Sequence, residues 1–187
     1  PILKNMLKKK IKKKIIEPTL KALKKKKKIY TGFLYIGLMI KENEPYLIEY
    51  NVRMGDPECQ VILPRLKGDL LKIIIKSLDN KLNEIKIKWK NIKCMTIVLC
   101  SKGYPGKYKM NNVIYNLRKI KNGKNFFIFH AGTKLINSKI IAVGGRVLSV
   151  SSTGHSFKKV RSKILDIIKK INWKNGFFRK DIGSRVI

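Results

Sequence analysis

Five polar side chains within ten positions, Glu49, Asn51, Arg53, Asp56 and Glu58, have types and spacings that could do chemistry. If Pro45 to Val52 is a strand, successive side chains alternate, so Leu47, Glu49 and Asn51 share one face and Ile48, Tyr50 and Val52 the other. A carboxylate and an amide oxygen then project together. Hard cations such as Mg²⁺ or Mn²⁺ take such oxygens and complete their octahedron with water and substrate phosphates. Arg53 follows at the next matching position, and its planar fork suits a phosphate or a carboxylate. Gly55-Asp56-Pro57-Glu58 then reads as a helix start, with Asp56 as cap, Pro57 at the first helical position and Glu58 against the positive end of the dipole.

These residues sit in a longer stretch, Phe33 to Asp69, around which the rest is organised. Two apolar runs flank Lys41-Glu42-Asn43-Glu44-Pro45, the pattern of a β-hairpin. Beyond Pro64, Asp69 caps a predicted helix, Leu70 to Leu78, which Asp79-Asn80 ends. Upstream, residues 1 to 28 carry Met6, Leu7, Ile11, Ile15, Ile16, Leu20 and Leu23 at near-helical spacing among lysines, with Pro18 expected to kink or divide the helix.

From Ile85 the period changes to two. Ile85, Ile87 and Trp89 alternate with Lys86, Lys88 and Lys90, which predicts a half-buried strand. Cys94 to Cys100 is a more continuous apolar strand, followed by the loop Gly103-Tyr104-Pro105-Gly106, whose glycines permit close approach. Phe126 to Phe129 leads to His130-Ala131-Gly132-Thr133. Lys134 to Val143 reads as a hairpin turning near Asn137-Ser138, and Gly144-Gly145-Arg146 as a bend into the strand Val147 to Ser151. A helix over Ser156 to Ile171 completes a small antiparallel sheet with a helix against it. Gly144-Gly145 is not a phosphate-binding Walker loop, since no Gly-Lys-Ser/Thr follows. His130 has the pKa range of a general base, but its place at a strand end beside glycine favours a structural role; His155 has no motif support and is expected on the surface.

The string Glu49-Tyr50-Asn51-Val52-Arg53-Met54-Gly55-Asp56-Pro57-Glu58, preceded by Tyr30-Thr31-Gly32-Phe33 and followed by Leu63-Pro64, resembles the phosphoribosylamine-glycine ligase (glycinamide ribonucleotide synthetase) family of ATP-grasp ligases. Met54 stands where that family usually has Phe or Leu. Gly103-Tyr104-Pro105-Gly106, His130-Ala131-Gly132-Thr133, Gly144-Gly145-Arg146-Val147-Leu148 and Arg179-Lys180-Asp181-Ile182-Gly183 look like its C-terminal domain, so the resemblance covers essentially the whole chain. It implies an α/β (α+β) architecture: residues 1–82 as the C-terminal part of an ATP-grasp domain, and residues 83–187 as a small antiparallel sheet-plus-helix domain. It implies Glu49 and Asn51 as metal residues, Asn51 and Arg53 as nucleotide-side residues, and Arg53, Asp56 and Glu58 as catalytic candidates, with Asp56 and Glu58 either near the glycine or holding the loop around it, and ATP and Mg²⁺ or Mn²⁺ as cofactors. The family joins glycine to 5-phosphoribosylamine through glycyl phosphate, giving glycinamide ribonucleotide, ADP and phosphate in purine biosynthesis. By that family's standard the chain begins with the ATP-grasp domain well advanced, and is expected to be a fragment of a longer gene product, a split subunit or a decayed remnant. The expected partner is therefore the missing N-terminal half, and the isolated chain is expected to be inactive.

Composition leaves one alternative open, a non-catalytic basic remnant that binds RNA or another polyanion. The formal net charge is +33, from 44 Lys+Arg against 11 Asp+Glu. Only 7 of those 44 are Arg, the residue that reads bases and stacks, so the excess lysine reads as compositional bias with non-specific nucleic-acid binding at most. Cys59, Cys94 and Cys100 show no metal-ligand spacing and imply free thiols in a reducing compartment. No apolar run reaches the length of a membrane span and no signal-peptide pattern opens the chain, so a cytoplasmic location is expected.

Overall fold

The computed structural model describes residues 3–121 and 123–187; Pro1 and Ile2, the start of the lysine-rich segment, lie outside them. In chain order the elements are α1 (Asn5–Ile11), α2 (Glu17–Lys25), β1 (Tyr35–Lys41), β2 (Glu44–Asn51), α3 (Cys59–Ile62), β3 (Leu66–Lys67), α4 (Leu70–Leu78), β4 (Lys88–Trp89), β5 (Lys93–Ser101), β6 (Asn112–Val113), β7 (Phe126–His130), β8 (Thr133–Ile136), β9 (Lys139–Ala142), β10 (Arg146–Gly154), α5 (Phe157–Lys170) and β11 (Gly176–Phe177). They group into two units. One holds the chain up to Gly55 together with Asp69–Lys86, the other Asp56–Gly68 together with Ile87–Ile187.

In the first unit, α1 and α2 form one helical run joined by a π-helical turn over Lys12–Ile16. Pro18 therefore neither ends nor splits the helix. A proline ring clashes with the carbonyl four residues back, and the widened turn just before it accommodates that defect. Leu7, Ile11 and Ile15, four residues apart, are its buried stripe. The helical run is tied to the hairpin: Glu44 receives Lys14 at 2.7 Å and also Lys10, and Thr19 hydrogen-bonds the Tyr50 hydroxyl. The hairpin turn is as expected, with Glu42 and Asn43 at φ of 52° and 60°, the left-handed pair that a two-residue turn matched to strand twist requires. α4 also follows its sequence signals. The Asp69 carboxylate accepts from the Leu71 amide at 2.8 Å, Asn80 takes φ 56°, and the Lys81 amide closes on the Lys76 carbonyl at 2.8 Å.

The second unit has a four-stranded antiparallel sheet in the order β11-β5-β10-β7, with α5 packed on it. Met95, Ile97 and Leu99 alternate along β5 toward the helix, where they meet Val160, Ile164 and Ile167. Central β10 is buried on both faces, with Val147, Leu148 and Val150 among the core residues and Ser149, Ser151 and Ser152 buried beside them. Ser151 and Ser152 cost little there because partners are at hand, Ser151 Oγ to Thr96 Oγ1 at 2.8 Å and Ser152 Oγ to the Asn125 carbonyl at 2.9 Å. A second sheet, β6-β9-β8, contains the expected hairpin, which turns through Asn137 and Ser138, both at positive φ. The strand expected from Ile85 is shorter than its periodicity suggests. Leu82–Glu84 is a 3₁₀ turn, only Lys88–Trp89 pairs, with β3, and Ile87 and Trp89 are exposed. Alternation without a covering layer leaves a two-residue edge ladder. Among the described residues no helix is long and apolar enough to cross a membrane.

Candidate active site

Glu49 and Asn51 come together as their types require, but through a more specific geometry than simple alternation. β2 pairs with β1 in two registers, Gly37 opposite Glu49 and Leu38 opposite Leu47, so Ile48 is an extra residue in a bulge. Directly opposed residues share a face and neighbours on one strand do not. Glu49, Asn51, Gly37 and Tyr35 therefore occupy one face. Leu47 does not join them, contrary to the alternation expected from the sequence, and falls with Leu38 and Tyr50 on the other face. The Tyr50 hydroxyl meets Thr19 of α2, so that face is turned to the helix and the acid–amide pair away from it. Asn51 Nδ2 donates to Glu49 Oε1 at 2.9 Å. Rotating the Asn51 amide by half a turn would present its oxygen beside the carboxylate instead.

Gly37, to which sequence reasoning gave no role of its own, makes this possible. A Cβ at Gly37 would stand 2.9 Å from Glu49 Cγ, closer than side chains tolerate. Its signal was a glycine inside an otherwise apolar strand, a mark of close approach. Arg53 is exposed and donates to the Met54 carbonyl at 2.9 Å. The oxygens of Glu49 and Asn51 fit a hard divalent ion held partly by substrate phosphates. Among the described residues no group of three or more His, Cys, Asp or Glu side chains is arranged to hold a metal by itself.

Asp56 and Glu58 belong to the second unit, and the capping role expected for Asp56 is not realised. α3 begins at Cys59, Asp56-Pro57-Glu58 is a turn before it, and no side chain caps the helix. The Asp56 carboxylate instead pairs with Arg146 Nη2 at 2.8 Å, and Gln60 Nε2 donates to its other oxygen at 3.3 Å. Arg146 Nη1 also reaches the Asp56 backbone carbonyl at 3.4 Å. A guanidinium within reach outweighs two helix amides, because both partners carry full charge.

Arg146 is itself closely placed. The preceding Gly144 and Gly145 carbonyls accept from Ser101, Oγ at 2.7 Å and N–H at 2.8 Å, and the Gly132 amide donates to the Arg146 carbonyl at 3.1 Å. A Cβ on Gly145 would fall 2.3 Å from the Tyr104 ring, which explains the bend and its glycine. Pro57, Cys100, Tyr104, Arg146 and Phe177 help line a cleft of about 310 Å³. Burial pushes the Cys100 thiol pKa up, against the pull of Arg146. His130 is exposed and its Nδ1 lies 2.9 Å from Thr133 Oγ1, a local strand-end contact; His155 is exposed, as expected. Cys59, Cys94 and Cys100 form no disulfide.

Comparison with known proteins defines the class. Residues 1–59 match the family described as "Phosphoribosylglycinamide synthetase, ATP-grasp (A) domain", and residues 94–185 match "Phosphoribosylglycinamide synthetase, C domain". With its α+β fold, the chain thus combines sequence of the ATP-grasp type with sequence of that synthetase's C domain. It is 42% identical to the phosphoribosylamine–glycine ligase of Agrobacterium fabrum, over 94% of this chain and 41% of that protein. It is 38% identical to the chloroplastic ligase of Arabidopsis thaliana, over 100% of this chain and 36% of the relative. The crystal structure of the Thermotoga maritima phosphoribosylamine–glycine ligase superposes with a TM-score of 0.75 at 29% identity, covering 92% of this chain and 42% of that one. The chain belongs to the phosphoribosylamine–glycine ligase family. It spans about 40% of the length of these relatives.

Proposed function

We propose that this chain is the C-terminal portion of an ATP-dependent ligase joining glycine to 5-phosphoribosylamine, with residues 1–82 completing an ATP-grasp lobe and residues 83–187 forming the C-terminal domain. The observation that carries the proposal is the Glu49–Asn51 pair on one strand face, 2.9 Å apart, within the stretch that matches the ATP-grasp domain. Glu49 and Asn51 would hold Mg²⁺ or Mn²⁺, and Arg53, with Asn51 beside it, would face the nucleotide phosphates. Phosphoryl transfer is chiefly positioning and charge neutralisation, so a carboxylate, an amide oxygen and an arginine are suitable equipment. The metal, when bound, neutralises charge developing on the transferred phosphoryl group. Asp56 and Glu58 stand near the glycine whose carboxylate is activated. The upstream portion of the ligase is the required partner. The exposed Met39, Tyr46 and Ile48 of the hairpin and Leu71, Ile75 and Leu78 of α4 offer it apolar surface.

The test supplies that portion, in trans or by fusion, and measures glycine-dependent ADP formation across a Mg²⁺ titration. Glu49→Gln keeps size and removes charge, and Asn51→Leu removes the oxygen. Each should lower turnover roughly 10²-fold, about 3 kcal/mol, the scale for losing one preorganised electrostatic contact. Tyr50→Phe, on the helix side of the hairpin, should do far less. Near-normal rates for Glu49→Gln at low Mg²⁺, in a variant whose circular dichroism is unchanged, would remove the metal assignment.

A further inference from the structure

We propose that Arg146 is a positioning residue for the Asp56-Pro57-Glu58 turn, holding it against the C-terminal sheet so that both acids meet the amino-acid substrate in one arrangement. The inference rests on the reading of Asp56 and Glu58 as neighbours of the glycine. Ninety positions separate Asp56 from Arg146, yet two different guanidinium nitrogens engage two different oxygens of the same residue, the side-chain carboxylate at 2.8 Å and the backbone carbonyl at 3.4 Å. A single-point contact would leave the turn free to swivel; a planar fork gripping side chain and backbone together fixes both position and orientation. Asp56 thereby forgoes the helix amides, its ordinary local partners.

The grip transmits position only if Arg146 is itself fixed, and it is. Its backbone starts β10, the central strand, between the Gly132 amide on one side and the Ser101-anchored glycine pair on the other. The backbones pass so closely that a Cβ on Gly132 would stand 2.8 Å from Gly144 Cα and 2.7 Å from the Arg146 carbonyl oxygen. The glycines and Ser101 thus set Arg146, and Arg146 sets the turn. Lysine at 146 would offer a rotating point charge on a flexible stem in place of a rigid fork, so it would hold the two oxygens in no fixed orientation, and the role needs arginine in particular.

Two measurements test this. In the 187-residue chain, alkylation of Cys59, which directly follows the turn, is followed by peptide mapping, with Cys94 as internal control. Arg146→Met, which keeps an apolar stem of similar length, should speed Cys59 labelling about threefold to fivefold, the yield of one half-exposed charge pair. Cys94 should not change, and Arg146→Lys should fall between. In the chain joined to the upstream portion of the Agrobacterium ligase, Arg146→Met should raise the glycine KM roughly tenfold and leave the ATP KM unchanged, as misplacement near one substrate predicts. Unchanged Cys59 labelling would overturn the proposal, as would equal rises in both KM values. If Arg146→Met does not fold, the Lys variant carries the same test with an expected rise of about twofold. Asp56→Asn separates the two readings: an unchanged glycine KM there removes the substrate assignment of Asp56, whatever the labelling of Cys59 shows.

Discussion

Hydrogen bonds from Lys10 and then Lys14 hold the Glu44 carboxyl below its ordinary pKa of 4.5. A group whose folded pKa is depressed contributes stability that is present above its unfolded pKa and lost as pH falls through the folded one. Helix-to-hairpin docking should therefore weaken on the acid side, from about pH 4.5 downward. Glu44→Gln should be the less stable protein near pH 7, and its deficit should shrink in acid as pH falls below 4.5, to be read from hydrogen exchange of the β1 and β2 amides. A deficit that stays the same in acid would contradict the ion-pair account. At this scale the acid–amide pair of Glu49 and Asn51 was legible, because residue type and period-two spacing needed nothing else. The true partner of Asp56 was not, since a cation ninety positions away leaves no local trace.

Among the elements, α4 illustrates local determination: cap, apolar spacing and stop signal all lie inside Asp69–Lys81, and every one is used. Asp69→Ala should cost about 1 kcal/mol, and Asp69→Asn far less, measured as lost protection of the α4 amides. Equal losses for Ala and Asn would mean that the carboxylate acts through charge rather than as a cap acceptor. The hairpin and α5 are comparable, each announced by turn residues or periodicity. The Ile85–Trp89 segment is the counterexample, because alternating side chains become a long strand only where another strand pairs with them. The bulge at Ile48 belongs here as well. An extra residue in β2 is visible only when its register against β1 is known, and it moved Leu47 off the Glu49 face.

For the whole molecule, the two units differ in how much core they own. Among the described residues, sixteen buried ones form a continuous cluster in the second unit, whereas the first contributes the three-residue stripe Leu7, Ile11 and Ile15. Ile164→Ala, at a fully buried site, should cost about 3–4 kcal/mol and lower the melting temperature of the sheet-and-helix unit. Hydrogen exchange in α1 should be lost at lower denaturant than exchange in β10, with or without that substitution. Simultaneous loss would show that the units do not unfold separately.

The chain alone should release no glycine-dependent ADP, since part of an ATP-grasp cleft cannot enclose the nucleotide or shield an acyl phosphate from water. Robust release would overturn this. The +33 charge should give RNA binding that is indifferent to sequence and vanishes near physiological ionic strength. Tight binding that persists there would favour the polyanion-binding alternative.

Sequence by itself determined the class of protein, the hairpin, α4, α5, the antiparallel sheet with its helix, and the shared placement of Glu49 and Asn51. Apart from the class, which the resemblance of whole motifs carried, and the sheet, whose strands pair across long stretches of chain, these follow from short-range patterns in which each residue's partners lie close by. Tertiary structure decided the phase of β2, the clearance that Gly37 leaves for Glu49, and the union of Asp56 with Arg146. In each of these the controlling interaction joins elements that are distant along the chain or differ in register. Residue spacing along one chain carries no information about which remote group will arrive opposite.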